Sequence, residues 1–397
     1  MMRSRNLPLN RLALFCSAAL LLPPAAAVEL GETVQMHGFL SQSLVYTSDN
    51  RVGGDSDDGI GSEMREIGGN LSWRPAPDWL ISGQALARWA GESDAGDLRL
   101  DYGFADHTLM TRSASSLGVR VGKIKNAYGF HNTTRDVAHT RPGIIMPQSI
   151  YPDRVRNTFL AAPGITLYGN HDESQNNLSW QVSALRPEVD DPNLTFFMLG
   201  LNRGHFSGEP SWLGQAIFEA DGGRWRAGVS GSWVAMKYHP GALDPFTAGK
   251  TRLPNWTLSL EHNSEHWSLM AEYGQTRVLS SGYGNVDVER ENTTRSWYVQ
   301  ATRRLGAGWR GFARYDYLTL DQSDPDGTSF AATTGRPAHM RFARDYTLGL
   351  RHDLGRWSIS GEWHHVNGTA WLSPTDTPVA VSRPHWDMLL LQAAWYF

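Results

Sequence analysis

The feature that most constrains this chain is a unit that recurs along it: an alternating segment, a short polar turn, and a Trp that opens the next alternating segment. It reads WRPAPDWLISG at Trp79, EADGGRWRAGV at Trp225, EHNSEHWSLMA at Trp267, TRRLGAGWRGF at Trp309 and RHDLGRWSISG at Trp357. The spacing is 42 residues from Trp225 to Trp267, 42 again to Trp309, and 48 to Trp357. The segments alternate with period two. Leu178, Trp180, Val182 and Ala184 share one face, and Ser179, Gln181 and Ser183 the other, as in strands that separate two environments. Each interval also holds a longer, more variable connection, such as 238–253, 280–292 and 321–339. Short turns at one end, long loops at the other, and indole rings beside the short turns are the layout of a transmembrane β-barrel. A propeller blade has a similar period of about 40–45 residues but packs four short strands into it. Here the interval holds two strands of about ten residues and a loop, and no Trp-Asp or Gly-His pair recurs. That argues against a propeller or a sandwich.

The N-terminus carries Arg3 and Arg5, an apolar run from Leu12 to Leu22, and Ala25-Ala26-Ala27 after two prolines. These are the three parts of a cleaved secretory signal, so residues 1–27 are expected to be removed and 28–397 to form one domain. Loss of Arg3, Arg5 and Arg11 takes the formal charge from −4 to −7, and Cys16 leaves with the signal. The remaining 370 residues, at about 45 per hairpin, give about eight hairpins. The expectation is an all-β, antiparallel transmembrane barrel of about 16 strands, with 18 possible.

Composition enters as a set of exclusions. No internal stretch approaches the roughly 20 apolar residues of a spanning helix. With 16 Trp, 40 Gly and only 19% charged residues, the chain is not a disordered one. Lys and Arg number 36 against 40 Asp and Glu, which excludes a strongly basic nucleic-acid binder. A mean hydropathy of −0.40 suits a barrel, because alternate residues face a wet lumen.

One long stretch lacks clean alternation: residues 124–163. It is too apolar for a solvated loop, with Ile144, Ile145, Met146, Ile150, Tyr151 and Phe159, and is expected to fold into the lumen. With its flank it carries Lys123, Lys125, Arg135, Arg141, Arg154 and Arg156 against Asp136 and Asp153. Six cations against two carboxylates make a local +4, so this is the candidate pore constriction. A cationic narrowing in a low-dielectric wall favours anions. The competing reading makes these arginines internal struts paired with carboxylates. On the wall, alternation turns Arg88, Arg99, Arg120, Arg310 and Arg314 inward, and points Leu98, Leu100, Tyr102 and Phe104 at lipid.

The string Gly122-Lys123-Ile124-Lys125-Asn126, then Gly129-Phe130-His131-Asn132-Thr133-Thr134-Arg135-Asp136, Arg141-Pro142 and Pro147-Gln148-Ser149-Ile150-Tyr151 resembles a region of porin-like outer-membrane proteins of Gram-negative bacteria. The alternating last segment, with Leu389, Leu391, Ala393, Trp395 and Phe397 on one face, is similar to the signal read by the barrel assembly machinery. The resemblance implies a trimeric pore in the outer membrane, surrounded by its lipid. Phosphate-selective porins are distant relatives in that class. Their lysine clusters are not matched here, where only Lys123, Lys125, Lys237 and Lys250 occur.

Other chemistries find little support in the sequence. His364 and His365 would point to opposite faces of a strand and cannot chelate one ion together. No nucleophile-elbow or zinc-protease motif is present. Asp55-Ser56-Asp57-Asp58-Gly59 lacks the closing Glu of a calcium loop. The sequence thus leads to a non-enzymatic porin without cofactor or metal, passing small hydrophilic solutes with a mild anion preference. The alternatives are a barrel that binds a ligand or partner through its loops, or an outer-membrane hydrolase.

Overall fold

A computed structural model describes residues 28–201, 203–285, 288–289 and 291–397. The expected signal, residues 1–27, lies outside the described residues. The sheet contains a short β1 (Val28–Gly31) and sixteen long strands: β2 (Val34–Thr47), β3 (Arg65–Ala76), β4 (Trp79–Trp89), β5 (Arg99–Thr111), β6 (Ser115–Lys125), β7 (Ala161–Glu173), β8 (Asn176–Leu185), β9 (His205–Ala220), β10 (Trp225–His239), β11 (Lys250–Asn263), β12 (Trp267–Ser281), β13 (Asn292–Gly306), β14 (Trp309–Thr319), β15 (Phe342–Leu354), β16 (Trp357–Gly368) and β17 (His385–Tyr396). Each long strand pairs antiparallel with the next, and β17 pairs with β2. The barrel is therefore closed with sixteen strands, and closure leaves no edge of unpaired backbone groups to face lipid.

The five turn-following Trp residues are the first residues of β4, β10, β12, β14 and β16. Each sits opposite an aromatic or cationic partner on the next strand. Trp79 stacks on His107 at 4.4 Å, and Trp225 and Trp309 meet His262 and His352 at 4.2 Å. Trp267 lies beneath the Arg303 guanidinium, and Trp357 faces Trp395. Outward positions are exposed and apolar, such as Ile81, Val182, Val229, Leu260, Val299 and Leu391. Inward positions are polar and buried, such as Gln84, Thr166, Thr257, Glu272 and Thr347.

The seam between β17 and β2 runs from Met388 opposite Thr47 to Tyr396 opposite Phe39 and is extended by Phe397. Phe397 and Gly38 exchange backbone hydrogen bonds of 3.0 and 3.1 Å. A Cβ on Gly38 would lie 2.3 Å from the Phe397 ring, so only glycine allows the ring to cover that strand.

Strict alternation fails at one place that matters. Between β4 and β5 the register slips, with Gln84 opposite Tyr102 but Ala85 opposite Leu100. Asp101 is the extra residue of a bulge. Gln84 is buried and inward, so Tyr102 and, further along, Phe104 turn to the lumen. The expectation that they face lipid is corrected accordingly. Leu98 and Leu100, before the bulge, remain exposed on the outside.

The apolar clusters lie inside, toward the long-loop end. One joins Ile144 and Ile145 to Ala370, Trp371 and Leu372 of the loop 369–384, and to the inward Val45, Leu318, Val366, Met388 and Leu390. A second joins Val155 to Val189, Leu194 and Leu199 around the helix α1 (Pro192–Leu199), and to Phe206, Met236 and Tyr238. Through these clusters the loops after β8 and β16 pack onto the inner segment on its long-loop side.

Candidate functional site

The segment between β6 and β7, residues 126–160, is here called L3. Its backbone and side chains bond to inward residues on strands all around the barrel. Gly129 N donates to Ser230 Oγ on β10 (3.1 Å) and Phe130 N to Glu272 on β12 (2.9 Å). Ile144 N and Ile145 N donate to Glu362 on β16. Ser149 N donates to Asp316 and Arg314 donates to Ile145 O, both from β14. Arg141 reaches Glu66 on β3 at 2.7 Å, and Gln84 on β4 donates to Asp136. Only a chain crossing the interior can touch opposite walls of a closed barrel in this way.

Two buried carboxylates each hold L3 through two bonds. Glu272 accepts from Phe130 N, from Tyr151 Oη at 2.6 Å, from Tyr298 Oη at 2.8 Å, and from Ser259 Oγ. Glu362 takes the two L3 amides and also faces His364 Nε2 at 3.1 Å, while His364 Nδ1 meets Asp345 at 2.8 Å. His365, next in sequence, points outward to Asp387. Acceptor-only side chains suit this job, because the crossing chain presents amide donors that would otherwise be unsatisfied.

On the opposite side, the expected cations meet carboxylates one by one. Arg88 bonds Glu66 and Asp94, each at 3.1 Å, and Arg99 bonds Asp94 at 2.8 Å. Lys125 bonds Asp136 at 2.7 Å, Arg135 bonds Asp153 at 2.8 Å, and Arg156 lies 3.8 Å from Asp101. Lys123 stands apart, paired with Glu188 in the loop after β8 at 2.6 Å. Arg120 pairs with Asp106 at 2.7 Å between the rings of Phe104 and Tyr168. Arg88, Arg99, Arg135, Arg141, Arg156 and Lys125 thus face Glu66, Asp94, Asp101, Asp136 and Asp153. Six cations against five anions leave +1 where L3 and its flank alone suggest +4.

Arg154 differs. Its guanidinium stacks on Phe197 at 3.7 Å and donates to the Ala370 carbonyl, with no carboxylate partner among the described residues. Burial and the charge of Arg341 both press its pKa down. For Asp153, burial alone would raise the carboxyl, but Arg135 and Arg88, with Arg141 and Arg156 beyond, hold it well below the usual carboxylate range.

Below L3, toward the short turns, lies a cavity of about 560 Å³. Its lining includes Arg141, Arg304, Arg310 and Arg351 against Glu261, Asp353 and Glu362, with Gln300, Ser360 and Gln392 between them. Arg310 and Arg351 share the one carboxylate of Asp353. Among the described residues the Arg304 guanidinium bonds the carbonyls of Ser264 and Glu265 and no carboxylate. Arg314 is buried higher up and serves L3 rather than the cavity. The acidic first loop turns back on itself, with Asp55 and Asp57 binding Arg51.

The tethering acids Glu66, Glu272 and Glu362 are the functional residues that sequence reasoning missed. Their signal was present: each is a carboxylate on the polar face of an alternating strand. That face is polar in every barrel of this kind, so alternation does not single them out.

No family model and no curated protein matches the sequence. Solved structures do match its shape. The anion-selective porin from Comamonas acidovorans has a TM-score of 0.56 at 13% identity, covering 92% of this chain and 99% of that one. The outer membrane channel DcaP of Acinetobacter baumannii has a TM-score of 0.57 at 13% identity, covering 92% and 97%. The trimer form of in-vitro folded OmpT, an outer membrane protein of Vibrio cholerae, has a TM-score of 0.53 at 11% identity, covering 92% and 99%. The fold is that of porin-like barrels of the Gram-negative outer membrane.

Proposed function

We propose that this barrel is a narrow diffusion channel for small hydrophilic solutes, with a mild preference for anions and no chemical step of its own. The observation that carries this reading is the cavity of about 560 Å³ inside a closed barrel, lined in part by charged and amide side chains and roofed by a tethered L3. Passage then depends on width first and on the sign of the field second. The paired arginines around Glu66 and Asp153 act mainly as struts. The less closely paired arginines lie lower, where Arg304 has no carboxylate within ion-pair distance among the described residues and Arg310 and Arg351 share Asp353. Arg carries this charge at any physiological pH.

Export by the 1–27 signal, assembly guided by Trp395 and Phe397, and a homotrimeric state belong to the same proposal. The packing of these loops onto the inner segment supports a second reading, in which the barrel is closed at rest and its loops bind a ligand or partner. Planar-bilayer recording separates the two. Discrete conductance steps from purified protein support the channel, and their absence overturns it. In a salt gradient, Arg304→Gln with Arg310→Gln should move the reversal potential toward cation preference. An unmoved potential refutes the placement of selectivity in the lower cavity.

A further inference from the structure

The outer surface carries a second feature that diffusion through the lumen does not use. On the long-loop side, outward aromatic residues run across β11 to β15. Trp256 meets Tyr273 at 5.5 Å, Trp297 meets Tyr315 at 5.3 Å and stacks on Tyr317 at 5.5 Å, and Tyr315 meets Tyr346 at 4.6 Å. Such rings mark the boundary between hydrocarbon and head groups. At the upper edge of this belt stand two arginines on the same outward face. Arg295 on β13 has its guanidinium 5.8 Å from the centre of the Tyr317 ring, and Arg344 on β15 has its own 5.9 Å from the same centre and 5.2 Å from that of Phe342. Tyr317 and Arg344 are direct cross-strand partners, and Arg295 pairs with Thr319, two residues further along the Tyr317 strand. Their outward direction follows from register, since Tyr298 and Asp345, next in sequence to Trp297 and Arg344, are buried on the inward faces.

Among the described residues neither arginine has a carboxylate within ion-pair distance. Asp326, in the loop above, feels the charge of Arg344 without forming an ion pair with it. Arg295 Nε is buried without a hydrogen-bond partner. This differs from Arg277 on β12, which is neutralised by Glu291. Charges on the lipid face are costly at mid-depth and cheap only near the interface. Two uncompensated guanidiniums held beside one ring at that level are suited to an anion supplied by the membrane. A phosphate offers the acceptor geometry that an arginine fork binds bidentately.

We infer that Arg295, Tyr317 and Arg344 form an external site for the phosphate of a phosphorylated glycolipid of the outer leaflet. The sugar ring would lie against Tyr317, and the acyl chains against the aromatic and aliphatic wall below. The site is independent of whether the lumen conducts.

The test uses the whole mature barrel, folded in detergent and titrated with rough lipopolysaccharide, the bound lipid being read by native mass spectrometry. At about fivefold per interfacial arginine, the double variant Arg295→Gln, Arg344→Gln should bind roughly 30-fold more weakly. Arg277→Gln should bind as the unmodified protein does. The unmodified barrel should also bind the dephosphorylated lipid far less well, a comparison that needs no variant to fold. Equal binding by the double variant, equal binding of the dephosphorylated lipid, or equal binding of phosphatidylglycerol would each overturn the assignment.

Discussion

Glu272→Gln tests whether L3 is held by specific carboxylate tethers. The Glu272 carboxylate accepts four hydrogen bonds, two from L3 (Phe130 N and Tyr151 Oη) and two from the wall (Ser259 Oγ and Tyr298 Oη). Only the L3 pair is broken when L3 leaves the wall, so only that pair sets the docking free energy. Glutamine keeps the shape but offers one acceptor oxygen and a donating amide. A tyrosine hydroxyl can rotate to accept from that amide, but the Phe130 N–H cannot. A hydrogen bond to a charged group contributes about 1.5–3 kcal/mol and a neutral one about 1 kcal/mol. With the glutamine oxygen facing Phe130 N and its amide facing the tyrosines, both charge-assisted L3 bonds become neutral ones, which should cost L3 about 1–4 kcal/mol of docking. The released population then rises by roughly 5- to 800-fold, while Glu362 still holds Ile144 and Ile145. In single-channel recordings this should appear as larger open-channel noise and excursions to higher conductance, with L3 becoming susceptible to protease. Ser259→Ala removes a bond that both states keep and should leave the noise unchanged. If Glu272→Gln records like the unmodified protein and L3 stays resistant, the tether argument is wrong.

Three further outcomes follow from the same geometry. Glu66→Ala leaves the buried Arg141 without a carboxylate and Arg88 with fewer, so thermal unfolding should show a loss of about 3–5 kcal/mol; a shift under 1 kcal/mol would contradict it. Gly38→Val drives a side chain into the Phe397 ring and should destabilise the seam by about 1–3 kcal/mol, read as a lower folded yield on heat-modifiability gels, against an unchanged yield if the contact is incidental. Because the Asp153 pKa is depressed in the folded state, its stabilisation is complete above its unfolded value of about 3.9 and is lost as pH falls through the folded value. L3 should therefore stay quiet from pH 7 down to about 4 and loosen only below, and Asp153→Asn should loosen it at every pH. Loosening between pH 5 and 7 that Asp153→Asn abolishes would refute the linkage.

Much of the fold was legible because its causes are local. Period-two alternation reports a wall between two media, and a Trp after a short turn reports the level at which that wall meets water. Trp79, Trp225, Trp267, Trp309 and Trp357 each open a strand for this reason. The same rule broke at Asp101, where one extra residue turned Tyr102 and Phe104 inward. A bulge of this kind is a property of two paired strands, and a single strand's sequence does not display it.

The sequence by itself determined that this chain builds a barrel, how many hairpins it has room for, which side chains line the lumen in most strands, and that one long cationic segment needs a surface to fold on. Only the tertiary structure decided what that cationic charge does. Arg141 meets Glu66 75 residues away, and the L3 amides meet Glu362 more than 200 residues away. Charge along a chain adds up as a sum, but the field in a lumen depends on which opposite charges lie within a few ångströms, and that is fixed only by the path L3 takes across the closed barrel.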